Sequence, residues 1–290
     1  MIEYQKYIQF LLSKKLNELP HSGSNFFDHL VKTFNILKTW KKSDKVCVAG
    51  LFHSVYGNEY YKPTINISRE EVKNLVGEEC ENLIFKFNNC DRNKVIKEET
   101  DYDLISIISA NFLSQNTFIE TENECIDEIT NKSIYNYFLN LPNYQFDGSN
   151  DTFLSRKLIY NLNFLSNEEN ILKDLSVKFL KDRGLYHLLN LKRAYASFQN
   201  YGYVGEFHSD NTDKGFNEVF TVMFYICDMW HIDFCGETVF KNNNDEIIAS
   251  IIPKPKRALI FDGNIPHSPR PLSKICVMPR IVVTFKYEIK

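Results

Sequence analysis

The sequence lacks any run of eighteen apolar residues, which excludes a membrane-spanning helix, and no membrane partner is expected. It also lacks a CxxC pair: the seven cysteines at 47, 80, 90, 125, 227, 235 and 276 are scattered. No metal-knuckle spacing occurs among them. The odd set reads as reduced thiols that fill the core as small apolar side chains. An excess of either charge is missing too, since Lys plus Arg is 34 and Asp plus Glu is 37, a formal charge of −3. Such a chain has no global field for nucleic acid, and no nucleic-acid partner is expected. The first residues, Met1-Ile2-Glu3-Tyr4-Gln5-Lys6, lack the basic and apolar regions of a signal peptide. The expected compartment is therefore cytoplasmic. Repeats and low-complexity runs are absent. Aromatics are plentiful: 23 Phe and 16 Tyr can fill two cores, and 290 residues suggest two domains at about 150 each.

The first part reads as helical. Apolar side chains at 26, 27, 30, 31, 34, 36, 37 and 40 mostly follow a 3.6-residue period and predict a helix over 26–40. Asp44 before Val46-Cys47-Val48-Ala49-Gly50-Leu51-Phe52 suggests an N-cap and a buried helix. Ser68-Arg69-Glu70-Glu71 has the capping-box spacing. A fourth helix is expected over 101–112. Turn clusters at 140–143 and 147–151 place the domain boundary near 140–150. Residues 152–183 again look helical.

The pattern changes after Leu191. Seven β-rich runs follow, over 193–199, 203–208, 219–227, 237–241, 247–252, 257–261 and 281–287. The expected fold is α+β in two domains. An all-α bundle covers 1–145, and a double-stranded β-helix, or jelly roll, with flanking helices covers 146–290.

One expected strand ends in Phe207-His208-Ser209-Asp210, where His208 and Asp210 would point to the same face. His267 follows another strand, 57 residues after Asp210. Two imidazoles and one carboxylate on one side of a metal form a facial triad, which leaves positions open for co-substrate and O2. Arg280 stands 13 residues after His267, before Ile281-Val282-Val283-Thr284-Phe285. A guanidinium at the start of an inward-facing strand suits a carboxylate. Arg270, between Pro269 and Pro271, is the alternative clamp. His187 and His231 match no ligand position and read as structural or surface residues.

On these residues the C-terminal part resembles the Fe(II)- and 2-oxoglutarate-dependent dioxygenases of the prolyl-hydroxylase-like branch. Besides the triad, three segments carry the resemblance: Phe224-Tyr225-Ile226-Cys227-Asp228-Met229-Trp230, Cys235-Gly236-Glu237-Thr238-Val239-Phe240, and Pro253 to His267. The resemblance implies Fe(II) held by His208, Asp210 and His267. It implies 2-oxoglutarate held at its distal carboxylate by Arg280 and Tyr225, with Asn200 and Tyr201 beside the pocket. The implied reaction oxidises 2-oxoglutarate with O2 to succinate and CO2 and hydroxylates a C–H bond. The substrate would be a peptidyl side chain, an amino acid or a small molecule. Asp210 favours hydroxylation over halogenation, since related halogenases lack that carboxylate. Residues 209–218, polar and containing Gly215, are a candidate lid.

The first domain has a second cluster: His21, His29 and His53, with Asp91-Arg92 further on. His21-Ser22-Gly23 to Asp28-His29-Leu30, with Ala49-Gly50-Leu51-Phe52-His53-Ser54-Val55-Tyr56-Gly57, resembles a small helical family related to HD-domain phosphohydrolases. Ser54 stands where that family places an Asp, so the resemblance is to a degenerate member. Two alternatives to the oxygenase reading stay open at this point. One is a metal-dependent phosphohydrolase in this HD-like domain, and the other is a non-catalytic sensor of metal or 2-oxoglutarate.

Overall fold

The computed structural model describes residues 4–21, 24–57, 66–115, 117–146, 158–210 and 213–290. The chain divides into two compact units, Met1–Thr117 with Phe179–Leu188, and Phe118–Lys178 with Leu189–Lys290. Among the described residues no helix is long and apolar enough to cross a membrane.

The first unit is helical: α1 (Gln5–Ser13), α2 (Phe26–Thr39), α3 (Asp44–Phe52), α4 (Arg69–Val76), α5 (Glu78–Asn89), α6 (Arg92–Glu98) and α7 (Tyr102–Gln115). A short ladder of β1 (Pro20–His21) and β2 (Ser24–Asn25) precedes α2. Helix α2 buries Phe26, His29, Leu30, Thr33, Ile36 and Leu37, one stripe at 3–4-residue spacing. Asn25 caps it by accepting from the Asp28 amide at 2.8 Å. Gly50 lets α3 approach α2 closely, because a Cβ there would stand 2.2 Å from Leu37 Cδ1. The capping box expected at Ser68 and Glu71 is present and opens α4. The cap of α3 is Ser43, not Asp44, which already lies in the first turn. All seven cysteines are free, and Cys47, Cys80, Cys227 and Cys276 are buried.

Among the described residues the second unit holds ten strands: β3 (Ile119–Glu122), β4 (Gln145–Phe146), β5 (Leu158–Asn161), β6 (Leu189–Gln199), β7 (Val219–Ile226), β8 (Thr238–Lys241), β9 (Ile247–Ile251), β10 (Ala258–Asp262), β11 (His267–Pro269) and β12 (Arg280–Ile289). Helix α8 (Glu128–Leu139) also lies in this unit, as does helix α9 (Asn167–Asp182) up to Lys178. A seven-stranded sheet runs β3-β10-β7-β12-β6-β5-β4, and a three-stranded sheet runs β11-β8-β9. Every pairing is antiparallel. Strand β7 is buried along its whole length, and all its residues but Thr221 are apolar. Met223, Tyr225 and Val282 of the larger sheet pack with Phe240 of the smaller and with Leu259, Phe261 and Ile265 in one core cluster.

Three expectations are corrected here. The boundary expected near 140–150 lies inside the second unit. Strand β3 extends the large sheet by pairing with β10, and Asn131 of α8 donates to the Cys227 carbonyl at 3.1 Å. The helix expected over 152–183 is strand β5 at 158–161 and helix α9 from 167, and 152–157 fall outside the described residues, as does the turn cluster at 147–151. The strand expected over 203–208 is an extended segment with a single bridge, His208 to His267. There the chain turns at Gly202, where φ is +90°, and Gly205 packs so closely on Pro269 that a Cβ would stand 2.5 Å from Cγ. Pairing is thereby limited to one residue.

Candidate active site

His208 and His267 exchange both backbone hydrogen bonds, His208 N to His267 O at 3.0 Å and His267 N to His208 O at 2.9 Å. The Asp210 amide donates to Gly263 O at 2.7 Å. These three bonds fix the HxD segment against the corner that follows β10. That corner is built by Asp262, whose carboxylate accepts from the amides of Asn217 at 2.6 Å and Asn264 at 3.0 Å. Burial raises the Asp262 carboxyl to about 6. Gly263 is needed at the corner, because a Cβ there would meet Val219 Cγ1 at 2.9 Å and Asp210 Cβ at 3.1 Å.

The three side chains converge. Asp210 Oδ1 lies 3.9 Å from His208 Nε2 and 3.7 Å from His267 Nε2, and one donor atom from each residue falls within 4.8 Å of the others. Each imidazole is tied at Nδ1 to a backbone carbonyl, His208 to Glu206 O at 3.1 Å and His267 to Ile265 O at 2.9 Å. Nδ1 therefore carries the proton in both rings, and both Nε2 lone pairs face Asp210. Burial lowers the His267 pKa to about 4. Burial would raise that of Asp210, yet His267, the Lys286 ammonium and the Thr221 hydroxyl together hold it below the usual carboxylate range. Lys286 Nζ is 2.5 Å from Asp210 Oδ1, and Thr221 donates to Oδ2. The His208 side chain is 47% exposed, against 2% for Asp210 and 7% for His267, so the site opens past His208. Two neutral imidazoles and one carboxylate with an open side suit a divalent metal.

The same cavity reaches Arg280, Gln199 and Thr238. Arg280 opens β12 opposite Gln199 of β6, and it is only 2% exposed. Its Nε donates to Gly236 O at 2.7 Å, Nη1 to Gln199 Oε1 at 3.0 Å and Nη2 to Thr238 Oγ1 at 2.8 Å. All three partners are neutral. Among the described residues no carboxylate pairs with this buried cation, and burial lowers its pKa. Gly236, at φ +79°, sits where a Cβ would stand 2.7 Å from Leu272 and 3.4 Å from Arg280 Cδ. The Tyr225 hydroxyl, also fully buried, donates to Thr238 Oγ1 at 2.7 Å.

Comparisons with known proteins bear on this arrangement. Residues 10–92 match the model of a domain of unknown function (DUF6817). No curated protein sequence matches the chain. Among solved structures, a prolyl-4-hydroxylase of Pseudomonas putida aligns with a TM-score of 0.50 and 10% identity, over 64% of this chain and 99% of its own. A prolyl hydroxylase of Trichoplax adhaerens, solved with a hypoxia inducible factor oxygen degradation domain peptide fragment, aligns with a TM-score of 0.50 and 19% identity, over 69% of this chain and 96% of its own. Over the aligned 64–69% of its length the chain shares the fold of these two structures.

Other expected site residues lie elsewhere. Tyr201 is 63% exposed and Asn200 is exposed, both outside the cavity. Strand alternation turns Gln199 inward and Asn200 outward, and Tyr201 sits on the turn closed by Tyr203 N to Asn200 O. Arg270 is exposed over the Phe207 ring, so Arg280 is the buried guanidinium of the two. The segment expected as a lid, 209–218, is described except at 211 and 212. Its Gly215 carbonyl accepts from Asn264. Gln199, Thr221 and Thr238 are the polar residues that sequence reasoning missed. Thr238 lies within the Cys235–Phe240 segment already singled out, which was the available signal.

In the first unit, His29 Nε2 lies 3.0 Å from His53 Nε2. His29 Nδ1 meets Ser114 Oγ at 3.0 Å, and His53 Nδ1 meets Gly50 O at 2.7 Å. All four ring nitrogens are therefore already in hydrogen bonds. Burial lowers the His29 pKa to about 2 and the His53 pKa to about 4. The His21 ring lies 4.4 Å from the His29 ring, tilted by 38°. Asp91 caps α6 by accepting from the Lys94 amide at 3.1 Å. Among the described residues only His208, Asp210 and His267 form a three-residue group able to hold a metal.

Proposed function

We propose that the second unit is an Fe(II)- and 2-oxoglutarate-dependent oxygenase, its two sheets forming a double-stranded β-helix. It would hydroxylate a C–H bond of a peptidyl, amino-acid or small-molecule substrate with O2, releasing succinate and CO2. One observation carries the reading: Arg280 is a fully buried guanidinium with only neutral partners, in the same cavity as the His-Asp-His group. A buried cation without a counter-ion is costly, and a ligand carboxylate supplies the missing charge. Iron, when bound, supplies the activation of O2 and the oxidation of 2-oxoglutarate.

The chain's own residues do the rest. His208, Asp210 and His267 hold the metal from one side, each imidazole oriented by its Nδ1 bond to a carbonyl. Thr221 orients the Asp210 carboxylate through Oδ2, leaving Oδ1 toward the imidazoles. Arg280 grips the distal carboxylate, held in place by Gly236, Gln199 and Thr238. Tyr225 braces Thr238. The core around Met223, Phe240 and Phe261 keeps the inner end dry, which strengthens the ion pair. The peptide fragment on the Trichoplax enzyme supports a peptidyl substrate as one option within this fold. The mutually saturated His29 and His53 support a structural role over phosphohydrolase chemistry in the first unit.

The test is anaerobic loading with Fe(II), followed by calorimetric titration with 2-oxoglutarate. One iron and one 2-oxoglutarate per chain are expected, with iron lost in Asp210→Ala. A protein that takes up neither ligand does not fit the proposal.

A further inference from the structure

Arg193 and Lys286 stand directly opposite each other on β6 and β12. Directly opposed residues share one face of the sheet, and like charges there destabilise the ladder. Both cations lie against the same ring. The Arg193 guanidinium carbon is 4.5 Å and Lys286 Nζ 5.7 Å from the centroid of Tyr195, which lines the cavity of the His-Asp-His group. Lys286 is 17% exposed and Arg193 is exposed, so the two form a positive path from solvent to the site.

Their counter-ions do not suffice. Among the described residues no carboxylate pairs with Arg193. Among the described residues Lys286 pairs only with Asp210, which is also the one anionic member of the metal-ligand group. A divalent metal drawing on Asp210 would weaken that pairing and add positive charge. The distal carboxylate of 2-oxoglutarate is already assigned to Arg280. Two opposed cations, one without a carboxylate among the described residues and the other paired with a committed one, make sense around an anion that arrives with the substrate.

We propose that the oxidised substrate carries an anionic group, carboxylate or phosphate, held between Arg193 and Lys286 at the mouth of the site. This deepens the oxygenase reading and rests on it. Lys286 contacts the inner side of the anion, and Arg193, braced on Tyr195, closes over the outer side.

The test is calorimetry on the full-length protein loaded with Zn(II) and 2-oxoglutarate, which permits binding without turnover. The probes are two matched pairs of capped amino acids, phosphoserine against serine and aspartate against asparagine. The anionic member of at least one pair is expected to bind roughly tenfold or more tightly than its neutral partner. Arg193→Gln, an exposed change that spares the core, is expected to lose most of that preference, and Lys286→Met the same. A preference for phosphoserine alone identifies phosphate, and one for aspartate alone identifies carboxylate. Equal binding within both pairs overturns the clamp, as does an anionic preference that survives in Arg193→Gln. Zinc and 2-oxoglutarate uptake are read before any probe is added. Failure at that step overturns the oxygenase reading, and the clamp with it.

Discussion

Replacing Arg280 with Met removes the charge on which the co-substrate assignment depends while keeping an unbranched side chain. The ligand would lose a charge-assisted pair in a buried site, a loss of about 3–5 kcal/mol. At about 1.4 kcal/mol per tenfold, the 2-oxoglutarate Kd should rise roughly 140- to 3,700-fold. The fold should tolerate the change better than the ligand does. Gly236 O and Gln199 Oε1 lose their donor, at about 1–3 kcal/mol each if left unpaired, but an uncompensated buried cation is relieved at the same time. The net effect on unfolding should stay within about 2 kcal/mol. Calorimetry with the metal-loaded protein gives the Kd, and urea unfolding of the ligand-free protein gives the stability. A second readout is linkage: 2-oxoglutarate at 100 times its wild-type Kd should stabilise the wild type by about 2.7 kcal/mol and leave the variant unmoved. Wild-type affinity in Arg280→Met would falsify the clamp.

Further changes probe the metal end and the first unit. Gly263→Ala should weaken metal binding by about tenfold or more, since its Cβ would press on Asp210 Cβ from 3.1 Å; unchanged zinc affinity would contradict that packing. Thr221→Val frees Asp210 Oδ2 and should cost roughly 10- to 100-fold in metal affinity, with Thr221→Ser restoring most of it. In the first unit, His53 and His29 have pKa values lowered by burial to about 4 and about 2, against about 6.5 in an unfolded chain. The unfolded chain therefore takes up protons first on acidification. Stability should be full above pH 6.5 and fall as the pH drops toward 4, by on the order of 3 kcal/mol for His53 alone. Urea unfolding across that range measures the loss, and imidazole resonances of His29 or His53 that titrate near 6.5 in the native state would contradict the saturated pair.

The parts of the site that were legible in the sequence are those fixed by local spacing. His208 and Asp210 stand two residues apart on an extended segment, and Arg280 opens an apolar run that becomes β12, so local spacing pointed to them. The supporting residues were not legible, because register decides them. Gln199 rather than Asn200 reaches Arg280 because β6 and β12 pair 199 with 280, and nothing local in Gln199-Asn200-Tyr201 reveals that pairing. Strand β3 was hidden for a related reason. Ile119-Glu120-Thr121-Glu122 alternates too briefly to stand out, and only its partner β10 makes it a strand. The helical periodicity of 26–40 predicted α2 well, yet it could not show that His29 and His53 would bond each other.

The central claim is most directly tested by succinate formation from 2-oxoglutarate. The protein is loaded with Fe(II) without oxygen, O2 is then admitted, and wild type is compared with His208→Ala. Iron- and O2-dependent succinate in the wild type, lost in the variant, is the expected result. Succinate formed equally well by His208→Ala, or none from a wild type that has bound both iron and 2-oxoglutarate and been offered anionic substrates, would contradict it.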